Sequence, residues 1–220
     1  MDVFKKHETL EIEVLDYLNS SKLLETLVFG GGTMLRLCHE LNRYSTDLDL
    51  WFVKKIDTSK YFLKVKNTLS KKYVLTDAYD KFNTLLFELR APGYPRLLKI
   101  EVREEIKNCD WQESIAYSKF TEKQVLLRTH TLHQTMLNKI EAALGRVEMR
   151  DFFDIEFLIR KGIDLPYISS ENADKLLKTI SSFKINDYKV KLGSILDPDP
   201  RRYYNENGFS LLQGKLTLLN

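Results

Sequence analysis

The sequence predicts an α/β protein of the α+β kind: a mixed sheet flanked by helices, followed by a mainly helical C-terminal lobe. Three observations predict it. Apolar and polar residues alternate in Thr46–Val53 and again within 97–104, the period of half-buried strands. Residues 8–19 and 58–70 instead space their apolar residues as amphipathic helices do. The composition then shifts near residue 120, and from about Leu132 helix signals dominate. The chain is therefore divided into lobes at 1–120 and 121–220.

Taken in order, Leu10, Ile12, Val14, Leu15 and Leu18 form the apolar side of the first helix. Leu27-Val-Phe29 is a short strand entering the turn Gly30-Gly-Gly32. The helix after the turn is expected to end near Asn42 and to bury Met34, Leu35, Cys38 and Leu41. Thr46–Val53 is the next strand. Thr58–Ser70 is a helix capped by Asp57 or Thr58, with Phe62, Val65 and Leu69 as its stripe. Residues 72–76, 82–90 and 97–104 read as successive strands, and Ala91-Pro-Gly-Tyr-Pro95 is a strong turn between the last two. Lys139–Arg146 and Arg150–Arg160 are rich in helix formers, and Lys161-Gly162 is a stop signal. Residues 171–183 form another helix, Pro198-Asp-Pro200 reads as a loop, and Phe209–Leu219 docks back as a helix or a strand.

Composition removes several classes of function. No apolar run approaches the roughly 18–20 residues of a membrane span. The first residues, Met1-Asp-Val-Phe-Lys-Lys-His-Glu8, lack the apolar core of a signal peptide. Two cysteines, Cys38 and Cys109, give no disulfide framework, so the expected compartment is the cytoplasm. A net charge of +3 is too small to demand a nucleic-acid partner. Clusters such as Lys64-x-Lys66, Lys71-Lys72 and Arg201-Arg202 are solvated surface by default, yet can guide a phosphodiester backbone. His130-x-x-His133 lacks a third ligand for zinc, and no P-loop is present.

The chemistry concentrates in 30–49. Strand geometry places Asp47 and Asp49 on one face, with Cα atoms about 7 Å apart, while Leu48 and Leu50 point into the core. Carboxylates are hard ligands for Mg²⁺. Backbone N–H groups of Gly31, Gly32 and Thr33 at a helix start suit phosphate oxygens, with the Thr33 hydroxyl as an added donor. Together they fit a metal–triphosphate complex. Two-metal chemistry wants a further acid on a neighbouring strand. Leu97–Val102 offers Glu101, on one face with Lys99 and Arg103; a surface glutamate is the other reading, with Glu104 and Glu105 close by. Ser45 either braces its turn or donates to a phosphate. Arg36 and Arg43 either add charge to the mouth or form structural salt bridges.

A second pattern runs from Lys139 to Asp154. On one continuous helix Lys139, Arg146 and Arg150 fall within roughly 40° of one another, and Ile140, Ala143, Leu144 and Val147 supply packing. Asp151 then lies about 120° from Lys139 and faces the same side only if the helix breaks near Gly145–Met149. Alone, this is an ordinary charged helix face.

The compound pattern resembles the AbiEii/MenT family of toxin-like nucleotidyltransferases, within the nucleotidyltransferase superfamily. That family shows Gly-Gly-Thr-x-Leu, then Arg-x-Ser-x-Asp-Leu-Asp, then Lys-x-x-Ala-Leu-x-x-Arg-x-x-x-Arg-Asp-x-x-Asp-Leu. Here Gly31-Gly-Thr-Met-Leu35, Arg43–Asp49 and Lys139–Asp154 match, with an extra alanine displacing Ala142-Ala-Leu144 and Ile155 in place of leucine. The resemblance runs from about residue 25 to 160. It implies a nucleotidyltransferase-like fold in which 1–120 is the catalytic lobe and 121–220 completes the nucleotide site. It implies Mg²⁺, with Mn²⁺ as a substitute, held by Asp47, Asp49 and Glu101. It also implies that Gly31, Gly32, Thr33, Ser45, Lys139 and Arg146 contact the NTP and that Asp151 is needed for activity. Asp151 is expected to polarise the acceptor hydroxyl, and Arg150 and Asp154 to brace the motif by pairing. The implied reaction moves a nucleoside monophosphate from an NTP to RNA, a tRNA 3′ end being first choice, or to a protein. The implied role is the toxin of a toxin–antitoxin or phage-defence system, with a cognate antitoxin as the expected partner and no membrane. The alternative is a non-catalytic nucleotide- or RNA-binding protein that keeps the fold; the intact pair Asp47 and Asp49 counts against it.

Overall fold

The computed structural model describes residues 3–106 and 108–219. They form two compact units. One comprises the residues up to Glu40 together with Ser45–His130; the other comprises Leu41–Tyr44 together with the residues from Thr131 onward. Position 120 thus falls inside a hairpin, β6 (Trp111–Tyr117) and β7 (Gln124–His130), that stays with the sheet because β7 pairs in parallel with β1 (Leu27–Gly30).

The first unit is built on a seven-stranded mixed sheet in the order β3-β4-β5-β2-β1-β7-β6. Its other strands are β2 (Asp47–Phe52), β3 (Val74–Lys81), β4 (Thr84–Arg90) and β5 (Leu98–Arg103). β2 is the middle strand. It pairs antiparallel with β1 and parallel with β5. The alternation expected of β2 is present: Leu48, Leu50 and Phe52 are buried, and Asp47, Asp49 and Trp51 are partly exposed. Each of those buried apolar side chains contributes about 1.5–3 kcal/mol, which fixes the strand's facing, since a one-residue slip would bury the carboxylates.

Three helices accompany this sheet. α1 (Val3–Ser20) packs on β5 and β7, α2 (Gly31–His39) on β1, β2 and β6, and α3 (Thr58–Leu69) on β3. α2 stops short of Asn42 because Glu40 turns into the left-handed region (φ 63°) and its N–H bonds to Leu35 O. Asp57 caps α3, accepting from Lys60 N at 3.0 Å. Val65 and Leu69 are buried, and Phe62 stacks on Phe87 at 5.2 Å.

The second unit is helical: α4 (Leu132–Gly145), α5 (Met149–Arg160), α6 (Ser170–Ser182), a π-helical stretch (Asp187–Leu192), α7 (Pro198–Asn207) and α8 (Ser210–Thr217). α5 is its axis. Residues 151–158 are all buried, an all-round burial that marks a central helix. Phe152, Phe153, Phe183, Tyr188, Tyr204 and Phe209 form one ring cluster around it. Pro198-Asp-Pro200 is not a loop: Pro198 opens α7, at a position where a missing N–H removes no hydrogen bond. The C-terminal segment is α8. Leu41–Tyr44 lies against 195–197, with Tyr44 N to Ile195 O at 2.8 Å and Asp197 N to Asn42 O at 3.2 Å.

Candidate functional site

The glycine turn is shaped by Asp49. Gly30, the last residue of β1, is paired with Asp49 of β2. Gly31, the first residue of α2, has φ +74°, a conformation that disfavours any side chain. A Cβ there would also collide with the Asp49 Oδ2 and come within 3.0 Å of its Cβ and Cγ. Gly30 is confined on its own side, where a Cβ would lie 2.6 Å from His130 Nδ1 and 2.7 Å from Trp51 Cζ3. The sequence needs two glycines so that the start of α2 can lie directly on the carboxylate. The first N–H groups of α2, which have no partner within their own helix, and the Asp49 carboxylate are therefore neighbours.

Thr33 is fully buried, and its hydroxyl donates to Asp47 O at 2.7 Å. That proton is committed to the β2 backbone, so Thr33 braces the strand rather than presenting its hydroxyl to a phosphate. From the other end, His7 Nε2 donates to Thr46 O at 3.0 Å. Ser45 is partly exposed in the turn before β2.

The parallel pairing of β2 and β5 sets Asp47 opposite Lys99 and Asp49 opposite Glu101. Glu101 therefore stands beside the aspartate pair, as its strand alternation requires. Its oxygens are already engaged: Lys99 Nζ lies 2.9 Å from Oε1 and Arg103 Nη2 3.2 Å from Oε2. Lys99 Nζ is also 3.5 Å from Asp47 Oδ2. Burial pulls the Lys99 ammonium down, but its hydrogen bond to Glu101 and the Asp47 and Glu101 charges outweigh this and hold it above the ordinary lysine value. Among the described residues no three acid, histidine or cysteine side chains are gathered to hold an ion. The donor chemistry of Asp47 and Asp49, two hard anionic oxygens groups beside open N–H donors, suits a divalent cation that takes further ligands from phosphate and water.

In the second unit the expected continuous helix is broken. α4 ends at Gly145, Arg146 is extended, and α5 begins at Met149. The break brings Asp151, in the first turn of α5, onto the cations of α4 and the linker. Lys139 Nζ lies 3.0 Å from Asp151 Oδ1, and Arg146 Nε is 2.8 Å from Oδ2. Asp151 is fully buried with both oxygens engaged. Burial raises its carboxyl, but hydrogen bonding from Arg146 and the Lys139 charge outweigh that and hold it below the ordinary range. Asp154 is buried too, and its brace is not Arg150, which is exposed. Arg43 holds it with a two-pronged contact, Nε to Oδ1 and Nη2 to Oδ2, both at 2.7 Å. Lys139 Nζ lies 2.7 Å from Asp154 Oδ2. Arg43 is 2% exposed, so it is a structural cation rather than charge at a mouth. Val147, in the linker, is 67% exposed and packs nothing.

With both clusters in place, the comparisons become informative. The family described as "Nucleotidyl transferase AbiEii toxin, Type IV TA system" matches residues 13–207. The chain belongs to the AbiEii nucleotidyltransferase toxin family. It is a nucleotidyltransferase. Two solved structures share the fold. MenT4, a nucleotidyltransferase toxin from Mycobacterium tuberculosis H37Rv, is 14% identical with a TM-score of 0.63, over 97% of this chain and 84% of that one. A candidate nucleotidyltransferase from H. pylori is 21% identical with a TM-score of 0.51, over 93% of this chain and 98% of that one. No curated protein matches the chain.

In this AbiEii chain Arg36 takes the salt-bridge role of its two expected ones, while several buried polar groups escaped sequence reasoning. Arg36 bonds Glu8 Oε2 at 3.0 Å, and Ser118 donates to Glu8 Oε1 at 2.6 Å, so Arg36 is structural. Glu11 of α1 is fully buried and shows no hydrogen-bond partner for either carboxylate oxygen, with His7 Nε2 at 3.4 Å. Burial, then the charges of Glu8 and Asp47, push its carboxyl well above the usual range. His130 is buried against Trp51, ring centroids 4.9 Å apart, and burial pushes it down to about 4. A polar residue inside an apolar helix stripe was the available signal for Glu11; nothing local pointed to the others. Cys38 is half-buried, and burial pushes its thiol up to about 12, so it packs rather than reacts.

Proposed function

We propose that this nucleotidyltransferase is Mg²⁺-dependent and moves a nucleoside monophosphate from an NTP onto RNA, with a tRNA 3′ end as the first acceptor to test. On this reading it is the toxin of a toxin–antitoxin pair acting in the cytoplasm, where its cognate antitoxin is the partner. Among the described residues no helix is long and apolar enough to cross a membrane. One observation carries the proposal: the glycine turn lies directly on Asp49, on the strand that also presents Asp47.

Asp47 and Asp49, with Glu101 on the neighbouring strand, would hold the divalent cation, which when bound supplies charge neutralisation to the phosphates. Gly31 and Gly32 offer N–H groups at a helix start to phosphate oxygens. Thr33 holds the Asp47 carbonyl and so keeps β2 in place against that helix start. Ser45 serves as the turn residue that admits β2. Lys139 and Arg146 supply cations to the nucleotide phosphates, and Asp151 positions both side chains. A buried carboxylate with both oxygens engaged by Lys139 and Arg146 has none left to take the acceptor's proton, so we assign Asp151 to positioning. In the transfer, the acceptor oxygen bonds to the α-phosphorus, the bond from that phosphorus to the bridging oxygen breaks, pyrophosphate leaves and the hydroxyl proton is released.

The test incubates the protein with α-labelled NTPs, Mg²⁺ and total RNA, with a chelator control. Label in RNA that disappears with chelator is the expected result. Label in protein would replace RNA as acceptor. Nucleotide binding without any transfer would overturn the proposal in favour of a binding protein.

A further inference from the structure

One cation already lies among the proposed metal ligands. Lys99 stands on β5 with Asp47 opposite it on β2 and Glu88 opposite it on β4. Its ammonium reaches both Glu101, at 2.9 Å, and Asp47, at 3.5 Å. Arg103 takes the other Glu101 oxygen at 3.2 Å. A divalent ion that took Asp47 and Glu101 as ligands would therefore have to displace an ammonium. The register explains why a cation is there. Asp49 and Glu101 are directly paired like charges, an arrangement that destabilises a sheet unless neutralised. The choice of lysine is informative. A compact charge on a flexible four-carbon stem can leave one anion for another, whereas an arginine fork is fixed by its geometry. Lys99 also has room to move, its side chain being 34% exposed.

We infer that Lys99 is a resident counter-ion that withholds Asp47 and Glu101 from free divalent cations and makes metal binding conditional on the triphosphate. The inference rests on the proposed metal-dependent transfer. A nucleoside triphosphate carries more negative charge than the two carboxylates that Lys99 bridges. Its arrival draws the ammonium off Asp47 toward phosphate and opens that carboxylate to the ion that accompanies the nucleotide. In the nucleotide-free protein the same ammonium competes with the ion. A lysine present only to neutralise the sheet face would leave the order of binding unaffected.

The experiment is a Mn²⁺ titration followed by electron paramagnetic resonance of the free ion. It uses the full chain, Lys99→Met and Lys99→Arg, each with and without an α,β-methylene NTP analogue. Without nucleotide, Lys99→Met should bind Mn²⁺ at least tenfold more tightly than the unaltered chain, and Lys99→Arg should stay close to it. The analogue should tighten Mn²⁺ binding strongly in the unaltered chain and much less in Lys99→Met. Equal nucleotide-free affinities in the unaltered chain and Lys99→Met overturn the inference, as does Lys99→Arg binding as tightly as Lys99→Met. If Lys99→Met fails to fold, shown by loss of a thermal transition, Lys99→Gln takes its place under the same criteria. The proposed metal site is tested separately by Asp47→Asn. If Asp47→Asn binds Mn²⁺ with the analogue as tightly as the unaltered chain, the metal assignment fails and this inference with it. If Asp47→Asn loses that binding while Lys99→Met behaves like the unaltered chain, only the role of Lys99 fails.

Discussion

The half-buried pair Asp47 and Asp49 and the buried Asp154 have opposite jobs, and single substitutions should separate them. Asp47 and Asp49 are partly exposed on the polar face of β2. Asp47→Asn and Asp49→Asn should each reduce transfer below detection while the melting temperature stays within a few degrees, as is usual for a substitution outside the core. Asp154 is the reverse. It is fully buried between Arg43 and Lys139, which are themselves 2% and 8% exposed. Asp154→Ala would strand the buried Arg43 and leave Lys139 with Asp151 alone, and should cost about 3–5 kcal/mol in urea unfolding. Arg150→Ala, on an exposed side chain, should stay within about 0.5 kcal/mol. Equal effects of the two changes would refute the Arg43–Asp154 brace. Gly31→Ala should fold poorly or lose transfer, because positive φ alone costs about 1–2 kcal/mol and the added methyl meets Asp49. At this scale Asp47, Asp49 and Gly31 were legible, because strand alternation and a glycine run are local signals. The partner of Asp154 was not. Arg43 lies 111 residues away in sequence, and no local pattern encodes that pairing.

At the scale of elements, the edges of helices decide what the side chains meet. The sequence supports helix on both sides of Arg146–Glu148 and leaves a break near Gly145–Met149 as one alternative, and the structure takes that alternative. Asp151 then captures Lys139 and Arg146 from the new turn. β6 and β7 were missed because Trp111, Ile115 and Leu126 are exposed apolar residues, which blur the usual alternation. α7 is not legible, because Pro198-Asp-Pro200 reads as a loop although proline can also begin a helix. α8 shows how a short helix is held. It has no side-chain cap of its own at Phe209, but Glu156 of α5 accepts the N–H of Leu212 at 3.1 Å. Arg160 balances the buried Glu156 charge at 2.9 Å. Glu156→Ala should destabilise the protein by about 1–3 kcal/mol, since it removes a charged acceptor from a buried N–H. Hydrogen exchange should show the Leu212 amide losing protection before the α5 core does. Unchanged protection at Leu212 would show that α8 is held by its apolar contacts alone.

For the whole molecule, buried titratable groups set how stability depends on pH. Asp151 and Asp154 are held below the ordinary carboxyl value, so their contribution is present above about pH 3.8 and is lost as pH falls through their folded values. Glu11 works in the other sense. Its raised folded value means its contribution is present below about pH 4.5 and is lost as pH rises. His130 has a window of its own. Burial holds it at about 4 in the folded protein against an ordinary 6.5. Between those values the unfolded chain carries a proton that the folded protein does not. Stability therefore falls as pH falls from 6.5 toward 4, by about 3 kcal/mol for a shift of that size. The oppositely signed Glu11 contribution overlaps this range, so the total curve alone does not isolate His130. A difference does. His130→Asn keeps a polar side chain beside Trp51 and Gly30 but does not titrate. Urea unfolding of both proteins at steps from pH 7 to pH 4 should show their stability difference shrinking as pH falls, the unaltered protein losing about 3 kcal/mol more than the variant. A difference that stays constant across that range would mean His130 takes up its proton in the folded state near 6.5. The close packing of its ring against the Gly30 turn would then leave room for a charged imidazole.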